Sequence, residues 1–199
     1  MKRNVIWELM KKSQPHKINT LLKRANVARF FLAKGGHMNM MMIICILALI
    51  GVDQLTKIWA VHTLGGGIDI KLWEGVFHFH YISNYGAAWG IFSGKKFFLI
   101  GLTSIIIIGM IWYMRKLPDT IWGKWSRVAF VLIISGAIGN LIDRLFLGYV
   151  RDFLYFILIN FPIFNVADIL VVVGVGLLMV VMLFGELEEG KKENNEVNK

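Results

Sequence analysis

Cysteine is nearly absent from this sequence, since Cys45 is the single one among 199 residues. One cysteine cannot form a disulfide within the chain, so a disulfide-stabilised fold is excluded and the redox compartment stays open. Cys45 lies in an apolar run and is predicted to be a small buried hydrophobic residue. The sequence also lacks an HExxH zinc motif and a serine close to a plausible base. Cysteine, serine and HExxH zinc hydrolase mechanisms are therefore disfavoured.

Apolar residues are what the chain has in abundance: they make up 56% of it, and the mean hydropathy is +0.60. Such a chain is too apolar for a soluble domain and is typical of a small membrane protein with several spans. A helix needs ~20 residues to cross a bilayer. Spans are predicted over 40–61 and 97–114, a third beginning with 128–142, and a fourth within 162–184. The sequence thus predicts one membrane domain, 38–185, an all-α bundle of four transmembrane helices.

The net charge of +9 is concentrated at the N-terminal end. Residues 1–37 hold nine Lys and Arg and one Glu. A basic flank beside a span is attracted to an anionic cytoplasmic leaflet, so we expect no nucleic-acid partner. This segment is predicted to be a basic cytoplasmic tail, either disordered or with a helix over 19–34 lying on the membrane. Translation starting at Met38 is a further alternative. The polar segment 186–199 is predicted to be a disordered cytoplasmic tail.

Four spans place both ends of the chain on the same side of the membrane. That side carries sixteen of the 22 Lys and Arg residues and the other side carries six. Because cytoplasmic segments are enriched in Lys and Arg, the first side is predicted to be cytoplasmic. The segments 62–96 and 143–161, which hold most of the polar motifs, are then extracytoplasmic.

The segment between the first two spans is predicted to form a small extracytoplasmic β-sheet. Alternation over 76–82 puts His78 and His80 on one face of a strand and the aromatic residues on the other. The aromatic face is expected to rest on the membrane surface. The two histidines lack a third ligand and are expected to be strand residues with no metal. After the strand, Asn84 can both donate and accept hydrogen bonds, and small residues such as Gly86 allow close approach to a ligand.

Polar residues gather in the stretch that begins at Asn140 and ends at Asp168, between long apolar runs. Asn140, Asp143 and Arg144 are spaced i, i+3 and i+4 and so share one helical face. Asn165 and Asp168, at i and i+3, share another. Ionisable residues inside the membrane are costly, and for this reason they are functional-site hypotheses by default.

Asp152 lies between these two groups and is predicted to act with Asp168. Two carboxylates in a low-dielectric site cannot both ionise cheaply, so they share one proton. The ionised member takes a proton from water while the protonated member polarises a carbonyl, as in aspartic proteases. Two alternatives stay open: a proton relay in a small proton-coupled transporter, and hydrogen bonds that only hold helices together.

Asp53 and Lys57 interrupt the second half of the first span. They are four residues apart, so on a helix they can pair. The pair is either an interfacial ion pair where the helix leaves the membrane or part of a functional site.

Five ordered sequence blocks carry a resemblance to lipoprotein signal peptidase, also called signal peptidase II. The blocks are Asp53-Gln54-Leu55-Thr56-Lys57; Asn84-Tyr85-Gly86-Ala87-Ala88-Trp89; Gly136-Ala137-Ile138-Gly139-Asn140-Leu141-Ile142-Asp143-Arg144; Val150-Arg151-Asp152-Phe153; and Phe164-Asn165-Val166-Ala167-Asp168. Each block is weak alone, but five in order, with four spans, make a specific match over 40–184.

The resemblance implies an intramembrane aspartic endopeptidase of the bacterial cytoplasmic membrane. Such enzymes remove signal peptides from diacylglyceryl-modified prolipoproteins, cleaving just before the lipidated cysteine. It further implies these roles: a catalytic pair, Asp152 and Asp168; substrate-binding or pair-positioning residues Asn84, Gly86, Asn140, Arg144 and Asn165; and supporting residues Asp53, Lys57 and Asp143. The expected partners are the prolipoprotein substrates and membrane lipids. We expect a monomer with no metal and no organic cofactor.

Overall fold

The structure, a computed structural model, describes residues 40–86, 92 and 94–197. Its helices are α1 (Met40–Leu64), α2 (Lys96–Met114), α3 (Ile121–Phe146) and α4 (Val166–Val197); its strands are β1 (Asp69–Trp73), β2 (Phe77–Asn84) and β3 (Val150–Phe156), and a 3₁₀ turn covers Ile157–Ile159. The predicted basic tail over 1–37, and Ala87, Ala88 and Trp89 of the second sequence block, lie outside the described residues.

Four helices in the described part of the chain are long and apolar enough to cross a membrane, which confirms the predicted four-span bundle. In α1, α2 and the 166–185 part of α4, only 17% of residues in the most apolar window are buried, because apolar side chains face outward. In α3 the share is 56%, since α3 packs against the other three helices. The central position of α3 is what lets its polar residues meet residues from other spans.

α3 begins at Ile121, seven residues before the predicted start at Val128. The side chain of Thr120 caps the helix by accepting a hydrogen bond from the backbone N–H of Gly123 at 3.1 Å. Arg127 is buried, and its guanidinium lies 2.9 Å from Asp119. This ion pair neutralises Arg127, so the helix can include a charged residue. The hydropathy pattern alone therefore did not indicate the earlier start of α3.

Two glycines on α3 allow close helix packing. A methyl group at Gly136 would overlap the backbone carbonyl of Ala167 on α4, and one at Gly139 would overlap the carboxylate of Asp53 on α1. Small residues at such positions let helix backbones approach closely in a membrane, where packing rather than hydrophobic burial holds helices together.

The three strands form one antiparallel sheet in the order β1-β2-β3. The prediction of a small sheet is confirmed, but it was wrong to place all of it between the first two spans. β3 comes from between α3 and α4 and pairs along β2, with Asn84 opposite Val150 and Phe79 opposite Leu154. The pairing brings Asp152 beside the end of β2.

The aromatic face of β2 packs on protein, and its contact with the membrane surface stays a prediction. Phe77, Phe79 and Tyr81 pack on a cluster of buried residues from α1 and β3: Ala60, Leu64, Phe153 and Leu154. The opposite face carries His78, which is buried and whose Nδ1 lies 2.9 Å from Asp69 on β1. No group of three His, Cys, Asp or Glu side chains placed to hold a metal ion occurs within the described residues.

Two local predictions were wrong. Cys45 is exposed on the surface of α1, because in a membrane bundle lipid replaces water and apolar residues need no protein around them. The backbone of α4 stays helical to Val197, although a disordered tail was predicted from residue 186. Lys and Glu residues favour helix there, and extending a formed helix avoids the cost of nucleation.

Candidate active site

The ten candidate residues meet at the end of the bundle that carries the sheet, and hydrogen bonds or ion pairs link all of them. They come from α1 (Asp53, Lys57), the end of β2 and the residues after it (Asn84, Gly86), α3 (Asn140, Asp143, Arg144), β3 (Asp152), and the start of α4 (Asn165, Asp168). Within this set, Asp152 and Asp168 form what we call the aspartate pair.

Asp152 is almost completely buried, with 2% of its surface exposed. Its Oδ2 accepts a hydrogen bond from Asn84 Nδ2 at 2.9 Å, and its Oδ1 accepts one from Asn165 Nδ2 at 2.6 Å. Burial, followed by the nearby carboxylate of Asp168, raises the pKa of Asp152 to about 7. Both causes disfavour the charged form, so Asp152 keeps a proton up to about neutral pH.

Asp168 is held by the local structure at the start of α4. Its Oδ2 accepts from the backbone N–H of Asn165 at 3.1 Å, while its own N–H donates to Asn165 Oδ1 at 3.1 Å. This reciprocal pair resembles a capping box and follows from the i, i+3 spacing. Another N–H of this turn, that of Ala167, donates to Asp53 on α1 at 2.9 Å.

Asn165 connects the two members of the aspartate pair. Its side-chain Nδ2 donates to Asp152 and its backbone N–H donates to Asp168. The carboxylates therefore share one asparagine as hydrogen-bond donor, although sixteen residues separate them along the chain. Both acids thus contact the same residue, and the charge of Asp168 acts on the carboxyl of Asp152.

The three asparagines of the site all present their NH₂ groups to the aspartate pair or to one another. Each amide oxygen has its own donor: Gly86 N–H at 2.9 Å from Asn84 Oδ1, Asp168 N–H on Asn165, and Lys57 Nζ at 2.9 Å from Asn140 Oδ1. The NH₂ of Asn140 is left to donate to Asp168 Oδ1 at 2.8 Å. Since the oxygen and nitrogen ends of an amide are nearly alike in shape, these donors decide which end faces the acids.

A buried charge network lies beneath the aspartate pair. Lys57 Nζ is 2.9 Å from Asp53 and 3.5 Å from Asp143, and all three side chains are 0% exposed. The predicted pairing of Asp53 with Lys57 is therefore confirmed. Arg151 completes the network by donating to both oxygens of Asp143 at 3.2 and 2.6 Å, so two cations face two carboxylates. Buried charges require such pairing.

Arg151 and Gln54 belong to this network, although no role was predicted for them from the sequence. Gln54 Oε1 accepts from Arg151 at 2.7 Å, and its Nε2 donates to Asp53 at 3.0 Å. Both residues stand inside the sequence blocks quoted above, directly beside a candidate acid. That position was the one available signal, because the contact between Gln54 and Arg151 joins α1 to β3.

Arg144 is half-buried and directed to backbone carbonyls. Its Nη2 donates to Gly86 O at 3.0 Å. Among the described residues it has no carboxylate within ion-pair distance, unlike Arg151. A half-buried guanidinium with free donors beside two carboxylates is suited to hold a polar group of a ligand.

Residues 45–184 match the family model described as signal peptidase (SPase) II. The chain belongs to the signal peptidase II family. It is 43% identical over 142 residues to a lipoprotein signal peptidase of Clostridium novyi (strain NT), covering 70% of this chain and 92% of that one. It is 42% identical over 159 residues to the lipoprotein signal peptidase of Clostridium tetani (strain Massachusetts / E88), covering 77% and 98%.

Solved structures of similar fold are bacterial membrane enzymes. One, a bacterial membrane enzyme solved in meso at 1.9 Å resolution, is 34% identical, with a TM-score of 0.63, covering 72% of this chain and 92% of that one. The family model and the named relatives confirm the predicted family. This member of the signal peptidase II family is a peptidase with several membrane spans, and the alternative of a proton-coupled transporter finds no support.

Proposed function

We propose that the protein is an intramembrane aspartic endopeptidase and that Asp152 and Asp168 are its catalytic residues. Its substrates would be diacylglyceryl-modified prolipoproteins, cut just before the lipidated cysteine. The observation that carries the proposal is the convergence of the two acids on Asn165, each with its oxygens held by amide donors. Membership of a peptidase family whose relatives are named lipoprotein signal peptidases supports the substrate class.

In the proposed reaction the aspartate pair carries one proton in total. The ionised carboxylate takes a proton from a water molecule, and the water oxygen forms a bond to the carbonyl carbon of the scissile amide. The protonated carboxyl donates a hydrogen bond to the carbonyl oxygen as negative charge develops there. When the carbon–nitrogen bond breaks, the proton taken from water passes to the leaving nitrogen. The products are one carboxyl end and one amine end.

The raised pKa of Asp152 supports this division of one proton between two acids. A carboxyl that titrates at about 7 is protonated across the acid half of the physiological range. General acids and bases work best when their pKa lies near the working pH. Environments that separate the protonation of two neighbouring carboxyls are typical of acid–base pairs in enzymes.

The asparagines and Arg144 have complementary proposed roles. Asn84, Asn140 and Asn165 position the aspartate pair, since each donates to one of its carboxylates. Arg144, with Gly86 as its backbone partner, holds a polar group of the bound peptide. These assignments follow from what each side chain contacts and what donors it has left.

We place the active site at the extracytoplasmic face of the membrane, with both chain ends in the cytoplasm. The loop between α2 and α3 and the residues beside it carry four Lys or Arg within 115–127, and this supports a cytoplasmic position for the loop. A lipidated cysteine is held at the outer surface of the bilayer by its acyl chains. Carboxylates at the outward ends of α3 and α4 then lie at the depth of the bond to be cut.

The test is cleavage of a diacylglyceryl-modified prolipoprotein by purified protein in lipid nanodiscs. Asp152→Asn and Asp168→Asn should each reduce the rate at least ~1,000-fold, because neither variant can exchange the proton of the pair. Asp119→Asn is the matched control, since this aspartate lies in the loop between α2 and α3, and the change weakens only its ion pair with Arg127 at the other end of α3. Wild-type cleavage by either pair variant, with the control also active, would show that the acids have been assigned wrongly.

A further inference from the structure

Lys57 is a fully buried lysine whose ammonium group contacts three side chains. Its Nζ lies 2.9 Å from Asp53 and 3.5 Å from Asp143, and it donates to Asn140 Oδ1 at 2.9 Å. An ammonium has three N–H donors, so every one of them has a protein oxygen as partner. Two of these partners neutralise charge. The third is an uncharged amide, and neutralisation does not explain that contact.

The amide oxygen of Asn140 is held by donors alone. It receives Lys57 Nζ and, at 3.1 Å, Asn165 Nδ2. The amide nitrogen donates to Asp168 Oδ1 at 2.8 Å. If the amide turned over, its oxygen would face the Asp168 carboxylate and its NH₂ would face the ammonium. Both contacts would then be repulsive, so the ammonium strongly favours the observed orientation.

We propose that Lys57 is a positioning residue of the peptidase: it fixes the orientation of the Asn140 amide and so keeps an N–H donor on Asp168. This inference rests on the proposed catalytic role of Asp168. Lys57 contacts Asn140 and the charge network but has no hydrogen bond to the aspartate pair, so its contact with Asp168 runs through Asn140. Without it, only the contacts with Asn165 and with Asp168 itself orient Asn140, and the N–H donor to Asp168 is present for a smaller share of the time.

A competing explanation is that Lys57 serves only to balance the charges of Asp53 and Asp143. The two explanations separate in a charge-balanced variant, Lys57→Met with Asp53→Asn, which removes one cation and one anion together. This variant keeps the network neutral but has lost the ammonium donor to Asn140. If Lys57→Met alone is too unstable to purify, the balanced variant still provides the measurement.

The experiment is single-turnover cleavage of a diacylglyceryl-modified prolipoprotein with excess enzyme, together with thermal unfolding of each variant. We expect Lys57→Met to unfold at a lower temperature and the balanced variant to recover much of that loss. At saturation both variants should cleave about 10- to 100-fold more slowly than wild type, which is the effect expected when a hydrogen bond to a charged group is lost. The enzyme concentration that gives half-saturation should change by no more than about twofold. Arg127→Met is the control, because it removes a buried cation at the other end of α3.

A second comparison tests whether Lys57 acts through Asn140. Asn140→Ala should slow cleavage by at least as much as the charge-balanced variant does. A variant that carries all three substitutions, Asn140→Ala, Lys57→Met and Asp53→Asn, should cleave no more slowly than Asn140→Ala alone. The inference would be overturned if the balanced variant cleaved at the wild-type rate. It would also be overturned if the fold-reduction in rate of the combined variant equalled the product of the fold-reductions of Asn140→Ala and of the balanced variant. Active Asp168→Asn protein would instead overturn the proposed function, so the two failures are distinguishable.

Discussion

Asp152 makes the stability of this protein depend on pH in a direction opposite to that of an ordinary salt-bridged aspartate. The pKa of its carboxyl rises from 3.8 to about 7 on folding, through burial and then through Asp168. The folded state therefore binds the proton more tightly than the unfolded state does. Between these two pKa values stability falls as pH rises, because the unfolded chain releases its proton first.

The size of the effect follows from the two pKa values. A shift of about three pKa units lowers the free energy of unfolding by roughly 4 kcal/mol above neutral pH, at about 1.4 kcal/mol per unit. At about pH 5 the carboxyl of Asp152 is already mostly ionised in the unfolded chain, and the loss in unfolding free energy is roughly 1.7 kcal/mol. Between about pH 5 and about pH 8 the wild type should thus lose roughly 2–3 kcal/mol through this one group.

Asp152→Asn removes the titration while keeping the shape of the side chain. The new NH₂ group opposes Asn84 or Asn165, both of which donate to Asp152, and this costs stability at every pH. The informative quantity is therefore the unfolding free energy of the variant minus that of the wild type, compared between about pH 8 and about pH 5. This difference should be more favourable to the variant at the higher pH by roughly 2–3 kcal/mol.

The measurement is reversible unfolding of purified protein in mixed micelles, followed by circular dichroism at both pH values. Asp119→Asn is carried through the same scheme, because it is the same chemical change on an exposed side chain, where the ion pair with Arg127 is lost at both pH values. Equal differences between Asp152→Asn and wild type at the two pH values would refute the reasoning. The pKa of Asp152 would then be unaffected by its burial and by Asp168.

Two further predictions concern helix packing and membrane topology. Gly136→Ala should lower the unfolding free energy by about 1–3 kcal/mol, since its methyl meets a backbone carbonyl that cannot move aside. Gly101→Ala, which meets nothing within 4 Å, should lower it far less, and equal losses would contradict this packing argument. In intact cells, with Cys45 replaced by Ser, Glu74→Cys should react with a membrane-impermeant thiol reagent. Asp119→Cys should react only after the membrane is opened, and the reverse pattern would invert the proposed topology.

Parts of the site were predictable from the sequence because they depend on local spacing. The pairing of Asp53 with Lys57 follows from i, i+4, and the mutual bonds of Asn165 and Asp168 follow from i, i+3. The four spans were predictable because a bilayer requires long apolar helices. In each case the interacting residues lie within one or two helical turns, or within one apolar run.

The remaining parts depend on contacts between segments that are distant along the chain or lie on different elements. β3 pairs with β2 although two membrane spans separate these strands in sequence, and nothing in either strand alone specifies that partner. Arg151 on β3 donates to Asp143 on α3, and no periodicity joins a strand residue to a helix residue. The contact of Lys57 with Asn140 likewise joins α1 to α3, so it becomes visible only once the helices are packed.

The order in which the site residues occur along the chain has a consequence for biosynthesis. Asp53 and Lys57 enter the membrane with the first helix, Asp152 follows the third, and Asp168 arrives only with the fourth. A nascent chain that stops before Asn165 has one member of the aspartate pair and lacks the asparagine that would join it to the other. Under the proposed mechanism such a chain cannot cleave its substrate, so activity begins only after the fourth helix has been made.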